Sequence, residues 1–380
     1  MITVEALPAL AGDCLWVEWD DGERRRRMLV DGGTVRAGSA LAERLDRQPV
    51  DERDFELVVC THLDDDHIGG LLTLLTSPPE GFSTRDLWFN GHHHLLPSDL
   101  LGKPKAEQLT ALLSKAGTPW NSAAGGRAIA VPTDASAPLP VIDLPGLTLT
   151  LLSPTWDRLT ALRDDWDTWK AEQRRKAGEE RPGPSDLLGP SQRAEEIPWQ
   201  RLARAYTPDT APGNGSSIAF CAEHSGDGSR VLFTGDAHAE VVAASLRRLA
   251  PDGGFRADLC KVAHHGSAHN TSPDLLDVLD CDQWLITTNG GHRVRGEEAR
   301  YRPGEGAHPS LRAMARLIFG ARRPTLWFNH RVPSTERYGD ELLQDRFGFL
   351  ARYPRRGATG IELVVAPGRV SRAGAADGAD

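Results

Sequence analysis

Residues 61–70 decide the fold and read Thr61-His62-Leu63-Asp64-Asp65-Asp66-His67-Ile68-Gly69-Gly70. A short apolar run at 55–60 precedes this stretch and predicts a buried strand, and the apolar residues after it predict a helix. The order strand, polar loop, helix places the polar residues at the mouth of a sheet, where α/β proteins keep their sites. We expect the loop to fold around one or two cations, because so many adjacent carboxylates would repel one another without one.

Imidazole and carboxylate side chains together suit zinc, manganese or iron. The loop offers both kinds through His62, Asp64, Asp66 and His67. Gly69 and Gly70 are expected to let the backbone turn tightly into the following helix.

Histidine or aspartate follows an apolar segment at other places along the chain. Asp236 ends the stretch 230–236, His264 and His265 follow the strand predicted within 257–267, and His308 lies in Gly-Ala-His-Pro-Ser. Taken alone, each of these is also what an ordinary turn produces. Three further histidines, at 92–94, could supply a ligand or contact a phosphate, but a polar loop after a strand is the favoured interpretation.

The remaining pattern alternates strands and helices around one long interruption. Two strands are predicted within residues 1–33, helices over 38–48, 238–250 and 309–320, and further strands near 86–91, 147–154, 216–223, 282–290, 324–329 and 360–366. Residues 155–212 are rich in Trp, Arg, Glu, Asp and Pro and are interpreted as an inserted helical arm followed by a loop. One domain is therefore expected over 1–370, with a disordered tail over 371–380.

Composition narrows the class of protein. The 380 residues carry a net charge of −9, which argues against a protein that coats nucleic acid by charge alone. The five cysteines are scattered singly, as buried thiols in a reducing compartment would be. We predict a cytoplasmic protein without a membrane span.

The ordered motifs resemble the metallo-β-lactamase superfamily, whose loop after an early strand reads His-x-His-x-Asp-His. More narrowly, they are similar to the hydrolase domain of the competence protein family ComEC/Rec2. The resemblance rests on the loop at 61–70 and on the following segments: Gly12-Asp13-Cys14, Leu29-Val30-Asp31-Gly32-Gly33, Asn214-Gly215-Ser216-Ser217, Thr234-Gly235-Asp236, Lys261 through Ser267, and His308-Pro309-Ser310. It implies a four-layer αββα sandwich.

The resemblance also implies roles for single residues. His62 and Asp64 belong to a first metal site, Asp66, His67 and His264 to a second, and Asp236 bridges the two. The family has histidine where this chain has Asp64, and its strand histidine is replaced by the region around Asn214. The first site is therefore short of imidazole, and the second is expected to be the firmer of the two, with Zn²⁺ or Mn²⁺ as the cation.

The implied chemistry is hydrolysis by a water molecule that the cation activates. Asp66 or Asp236 would take its proton, Lys261, His265 or His308 would neutralise negative charge, and His265 or His308 would protonate the leaving oxygen. The leading prediction is a phosphodiesterase or nuclease acting on DNA or RNA. Two alternatives stay open: hydrolysis of a small ester, lactone or thioester, and a binding or effector module with a degenerate site that docks a protein partner through 155–212.

Overall fold

The computed structural model describes residues 1–95, 104–173, 197–290 and 308–374. Its strands are β1 Ile2–Ala6, β2 Leu15–Asp20, β3 Arg25–Val30, β4 Asp54–Phe55, β5 Leu57–Val59, β6 Ser83–Thr84, β7 Leu87–Trp88, β8 Val141–Leu144, β9 Leu147–Ser153, β10 Ala219–His224, β11 Arg230–Phe233, β12 Phe255–Arg256, β13 Leu259–Lys261, β14 Leu279–Asp280, β15 Gln283–Ile286, β16 Thr325–Phe328, β17 Leu350–Arg352, β18 Ile361–Ala366 and β19 Arg369–Arg372. Its α-helices are α1 Gly38–Asp46, α2 Asp65–Thr76, α3 Pro104–Ala116, α4 Trp156–Gln173, α5 Trp199–Arg204, α6 Pro212–Gly215, α7 Ala239–Leu249, α8 Pro273–Val278, α9 Leu311–Gly320, α10 Pro333–Glu336 and α11 Glu341–Phe347.

Two large sheets form the middle of the molecule. The first sheet has the strand order β19-β18-β1-β2-β3-β5-β7, and the second has the order β17-β16-β15-β13-β11-β10-β9-β8. In the first sheet β3, β5 and β7 run parallel, and in the second the strands from β11 through β17 do. Because parallel strands end at the same edge, the loops that follow them gather in one place.

Side chains alternate between two cores. Val4 and Val17 of the first sheet belong to the core that also holds Phe220 and Leu232 of the second sheet, so this core lies between the sheets. On the other face of the first sheet, Trp16 packs with apolar residues of α1, α2 and α3. Residues of α7 and α9 cover the second sheet in turn. The layers are therefore helix, sheet, sheet, helix, and the αββα sandwich predicted from the sequence is confirmed.

Most predicted elements lie within one to three residues of the observed ones, but three expectations are wrong. Residues 1–33 contain three strands rather than two, since β1 pairs with both β2 and β18. Ser371 and Arg372, expected to belong to a disordered tail, are the last two residues of β19. Gly69 and Gly70 lie inside α2, where a Cβ would overlap the backbone of residues 32–35. Close packing, and not a turn, requires glycine at these two positions.

The arm at 155–212 is described in part. Its first half is the helix α4. The Pro-rich stretch interpreted as a loop, 181–192, lies outside the described residues. Beyond it, Trp199 and Leu202 of α5 are buried, and α5 packs against α9, so this end of the arm is part of the domain. Among the described helices, none combines the length and apolarity needed to cross a membrane.

Candidate metal centre

The loops that leave the parallel strands of both sheets meet at one edge of the sandwich. On the side of the first sheet, the loop after β5 carries His62, and the first turn of α2 carries His67. The loop after β11 carries Asp236, and the loop after β13 carries His264 and His265, from the second. Four of these five side chains are almost fully buried, and His264 keeps 27% of its side-chain surface exposed.

Asp236 lies in the middle of the cluster. Its Oδ2 is 3.4 Å from Nε2 of His67. The same oxygen is 3.8 Å from Nε2 of His62, of His264 and of His265. Four imidazoles, three from the loops after β5 and β13 and one from α2, thus point the same ring nitrogen at one carboxylate oxygen.

In His62 and His67 the opposite ring nitrogen, Nδ1, contacts a hydrogen-bond acceptor. Nδ1 of His67 lies 2.7 Å from Oδ2 of the buried Asp31. The Thr61 hydroxyl donates to the same carboxylate oxygen at 2.8 Å, which leaves its own oxygen to accept from His62 Nδ1 at 3.1 Å. Both rings therefore carry the proton on Nδ1 when neutral and present the Nε2 lone pair to Asp236.

His265 is oriented in the same way by the second sheet. Its Nδ1 lies 3.0 Å from the carbonyl oxygen of Thr287 and 3.3 Å from Oδ1 of Asp13. Asp13 accepts a further hydrogen bond from the Thr287 hydroxyl and is ion-paired with the buried ammonium of Lys261. The pair makes the Asp13 carboxylate a fixed support behind His265.

Lone pairs that face a carboxylate repel it unless a proton or a cation lies between them. Nε2 of His62, His67 and His265 and Oδ1 of Asp236 are buried and lack a hydrogen-bond partner within the described part of the chain. Separations of 3.4–3.8 Å fit two ligands that share one ion at about 2.0–2.2 Å each. The residues therefore fit a divalent cation.

The pKa shifts follow from the same geometry. Burial opposes ionisation of Asp236, but His67, His264 and His265 outweigh it and hold the pKa of this carboxyl well below its usual range. Burial likewise opposes protonation of His67, but Asp236 and Asp31 raise the pKa of its imidazole well above 6.5. In the absence of a cation, protons on the rings therefore balance the carboxylate, and a cation would displace them.

Three groups of ligand atoms among the described residues are close enough to hold an ion. One consists of His62, His67 and Asp236, and another of Asp66, His67 and His265. The third joins Asp13 and Asp31 to His67, whose Nδ1 faces Asp31. Asp64 borders the first group: its Oδ2 lies 3.8 Å from Nε2 of His62, and its side chain is 46% exposed. We call the position near His62, Asp64 and Asp236 the outer position, and the position near Asp66, His67, His265 and Asp236 the inner position.

Backbone strain accompanies the site. His264 and His265 both have left-handed conformations, with φ of 49° and 54°, and so does Asp31 with φ of 60°. Residues with a Cβ adopt this region at a cost and retain it where the surrounding structure enforces it. The hydrogen bonds to Nδ1 of His265 and His67 are part of that enforcement.

The structure changes two assignments made from the sequence. The resemblance put His264 in the second site, whereas the geometry brings His265 next to Asp66 and His67. Lys261 was expected to neutralise charge on the substrate. Its side chain is 1% exposed and is paired with Asp13, the carboxylate that contacts Nδ1 of His265.

Two other histidine candidates differ in their placement. The His308 ring lies 5.1 Å from that of His264 and 6.0 Å from that of His265, beside the centre. The histidines at 92–94 form a short 3₁₀ turn instead, in which the rings of His93 and His94 pack on Trp120. None of these four histidines belongs to a candidate metal group among the described residues.

Sequence reasoning missed the carboxylates behind the ligands. Asp13 and Asp31 were quoted as parts of motifs and received no role. Their signal was that each motif contains one acidic residue next to buried apolar positions, where a carboxylate needs a partner. Asp209 and Asn270, which contact His264, gave no comparable signal.

Comparison with known proteins agrees with this architecture. The family model of the metallo-beta-lactamase superfamily matches residues 7–81, which include the loop with His62 and His67. The curated proteins give no match.

Several solved structures are similar over much of the chain at low identity. The metallo-β-lactamase fold protein YhfI from Bacillus subtilis is 11% identical over 95% of this chain and 98% of its own, with a TM-score of 0.38. The subclass B3 metallo-β-lactamase MEM-A1 from a soil metagenome library is 15% identical over 72% and 78%, with a TM-score of 0.31. A long form RNase Z from yeast is 10% identical over 69% of this chain and 32% of its own, with a TM-score of 0.32. Similarities this low indicate no substrate.

Proposed function

We propose that this chain is a metal-dependent hydrolase that cleaves phosphodiester bonds. The observation that carries the proposal is the convergence of the Nε2 atoms of four histidines on Oδ2 of Asp236. A buried set of this kind is unfavourable without a cation and ready to bind one.

The inner position would hold its ion through Asp66, His67, His265 and Asp236, and the outer position through His62, Asp64 and Asp236. Zn²⁺ suits the imidazole-rich inner set, and Mn²⁺ suits a set with more carboxylate oxygens. When bound, such a cation lowers the pKa of water and withdraws electrons from the scissile bond.

Asp66 would accept a proton and His308 would donate one. The Asp66 side chain is 32% exposed, and its Oδ2 lies 3.6 Å from Nε2 of His265, so it can accept the proton of an attacking water. The His308 ring lies beside those of His264 and His265 and can donate a proton to the leaving oxygen.

Phosphodiester substrates, DNA or RNA among them, are favoured by the motif set shared with the ComEC/Rec2-like hydrolases. A second candidate function is hydrolysis of a small ester, lactone or thioester. Two observations favour it: Lys261 is paired with Asp13 and cannot neutralise a phosphate, and the net charge of −9 gives nucleic acid no long-range attraction. A cytoplasmic location and a protein partner bound through 155–212 stay predictions.

The test is a substrate panel with one matched pair of variants. Metal-free protein is supplied with Zn²⁺, Mn²⁺ or Mg²⁺ and given linear DNA, plasmid, RNA, bis-p-nitrophenyl phosphate, p-nitrophenyl acetate and a thioester. Asp66→Ala should abolish turnover. Asp65→Ala, which removes a neighbouring carboxylate paired with Lys105 at 2.6 Å, should retain it.

The outcomes separate the candidates. Cleavage of the phosphodiesters alone supports the proposal, and cleavage of the acetate or thioester alone replaces it with the second candidate. Activity that survives in Asp66→Ala would contradict the site. A protein that takes up no ion during titration would be a binding module and not an enzyme.

A further inference from the structure

Asp209 is an acidic residue of the arm that reaches the metal centre. It lies between α5 and α6, and its side chain is 10% exposed. Its Oδ1 accepts a hydrogen bond from the backbone N–H of Ala211 at 2.9 Å, which fixes the carboxylate. Its Oδ2 lies 3.6 Å from Nδ1 of His264 and faces the centre.

Asn270 joins Asp209 to His264 in a defined orientation. Its Nδ2 lies 2.9 Å from Oδ2 of Asp209, 3.1 Å from the carbonyl oxygen of Asp236 and 3.3 Å from that of Ala237. All three neighbours are acceptors, so the amide nitrogen must face them, and a flipped amide would set oxygen against oxygen. The amide oxygen is thereby directed at Nδ1 of His264, 3.0 Å away.

This arrangement fixes the tautomer of His264. An amide oxygen can only accept a hydrogen bond, so Nδ1 of the neutral ring carries the hydrogen and Nε2 carries the lone pair. Nε2 faces Oδ2 of Asp236 at 3.8 Å, as it does in His62 and His265. His264 is therefore prepared as a ligand in the same manner as the other histidines, but by the amide of Asn270, which a carboxylate from the arm orients.

His264 and Asp64 border the same turn. A Cβ on Gly213 would lie 3.3 Å from Oδ1 of Asp64, and Nδ2 of Asn214 lies 3.3 Å from Nδ1 of His264. Asn214 also donates to Asp209 at 2.7 Å. The turn at 213–214, where the sequence lacks the strand histidine of the family, is thus covered by an imidazole from another loop.

We infer that Asp209 is a positioning residue that holds His264 as the second imidazole ligand of the outer metal position, in place of the missing strand histidine. The inference rests on the proposed metal centre. It makes the described end of the arm, residues 197–212, a structural part of that centre.

The test is a titration of metal-free protein with Co²⁺, followed by visible absorption and calorimetry. Wild-type protein should bind two ions. Asp209→Asn should weaken the outer step by about 10–100-fold, the usual effect of removing a group that orients a ligand, and should change the absorption of that step. His264→Ala should lose the outer step, and adding Asp209→Asn to it should cause no further loss.

Asp227→Asn is the matched control. Asp227 also hydrogen-bonds a histidine, His224, at 2.9 Å, but it lies in the turn before β11, and Asp236 follows the other end of this strand. This variant should bind both ions as wild type does. The melting temperature of each metal-free variant shows whether it is folded.

The results distinguish a failure of the inference about Asp209 from a failure of the proposed function. Two unchanged binding steps in Asp209→Asn, or in His264→Ala if the first variant fails to fold, would overturn the inference while the proposed function stands. Wild-type protein that binds no Co²⁺, Zn²⁺ or Mn²⁺ would overturn the proposed function itself.

Discussion

Replacing Lys261 with methionine separates a structural role from a catalytic one. The ammonium of Lys261 and the carboxylate of Asp13 are each 1% exposed and paired with each other. Removing one member of a buried pair leaves the other charge uncompensated and costs about 3–5 kcal/mol. For 380 residues, with an unfolding entropy near 2.1 cal/mol/K per residue, this corresponds to a fall of about 4–6 °C in Tm.

The assay is urea unfolding of the metal-free protein followed by circular dichroism. Lys261→Met should unfold at a lower urea concentration, and the double variant Asp13→Asn/Lys261→Met should recover part of the loss, because no lone charge stays buried. Lys105→Met breaks the partly exposed pair with Asp65 and should change the free energy of unfolding by less than about 1 kcal/mol. If Lys261→Met unfolds like wild type and yet loses turnover, a direct role on the substrate would be restored.

Two further predictions concern the stability of the frame. In Gly12→Ala the new Cβ would overlap the carbonyl oxygen of Asp66, so the free energy of unfolding in urea should fall by about 3 kcal/mol or more. In the control variant Gly253→Ala the new Cβ meets nothing within 4 Å, and this variant should be as stable as wild type. Equal stability of the two variants would refute the close packing at Gly12. Burial lowers the pKa of His330 from 6.5 to about 4, so its neutral ring contributes stability that is complete above pH 6.5 and is lost as the pH falls toward 4. The loss over this interval should be roughly 3 kcal/mol, and His330→Gln should flatten the profile of unfolding free energy against pH; a slope unchanged by the substitution would contradict the assignment.

The architecture could be predicted from the sequence because the spacing of apolar residues in a strand or helix involves only residues that are close in sequence. Their apolar residues identified β2 and the outer helices without knowledge of their partners. The same signal is present in β1, where Ile2, Val4 and Ala6 are buried and the residues between them are less so. It was missed because five residues make a short pattern.

The sequence does not predict which side chains of the site are buried and which are exposed. The sequence places Lys261 and His265 in one segment, but it does not show that the first turns away to Asp13 while the second faces Asp66. Nor does it distinguish His264 from His265, since consecutive left-handed residues depart from the alternation of a strand. Asp209 lies within a compositional break, and its link to His264 depends on packing between segments about 55 residues apart in sequence.

An ion bound at Oδ2 of Asp236 would also affect the stability of the fold. The histidines around it come from loops of different sheets, so an ion bound there would act as a cross-link between the two halves of the sandwich. An ion present at 100 times its Kd would add about 2.7 kcal/mol to the free energy of unfolding. The concentration of available metal would then determine the resistance of the folded chain to proteases as well as its activity. A chelator would destabilise the protein at the edge where the loops of the two sheets meet.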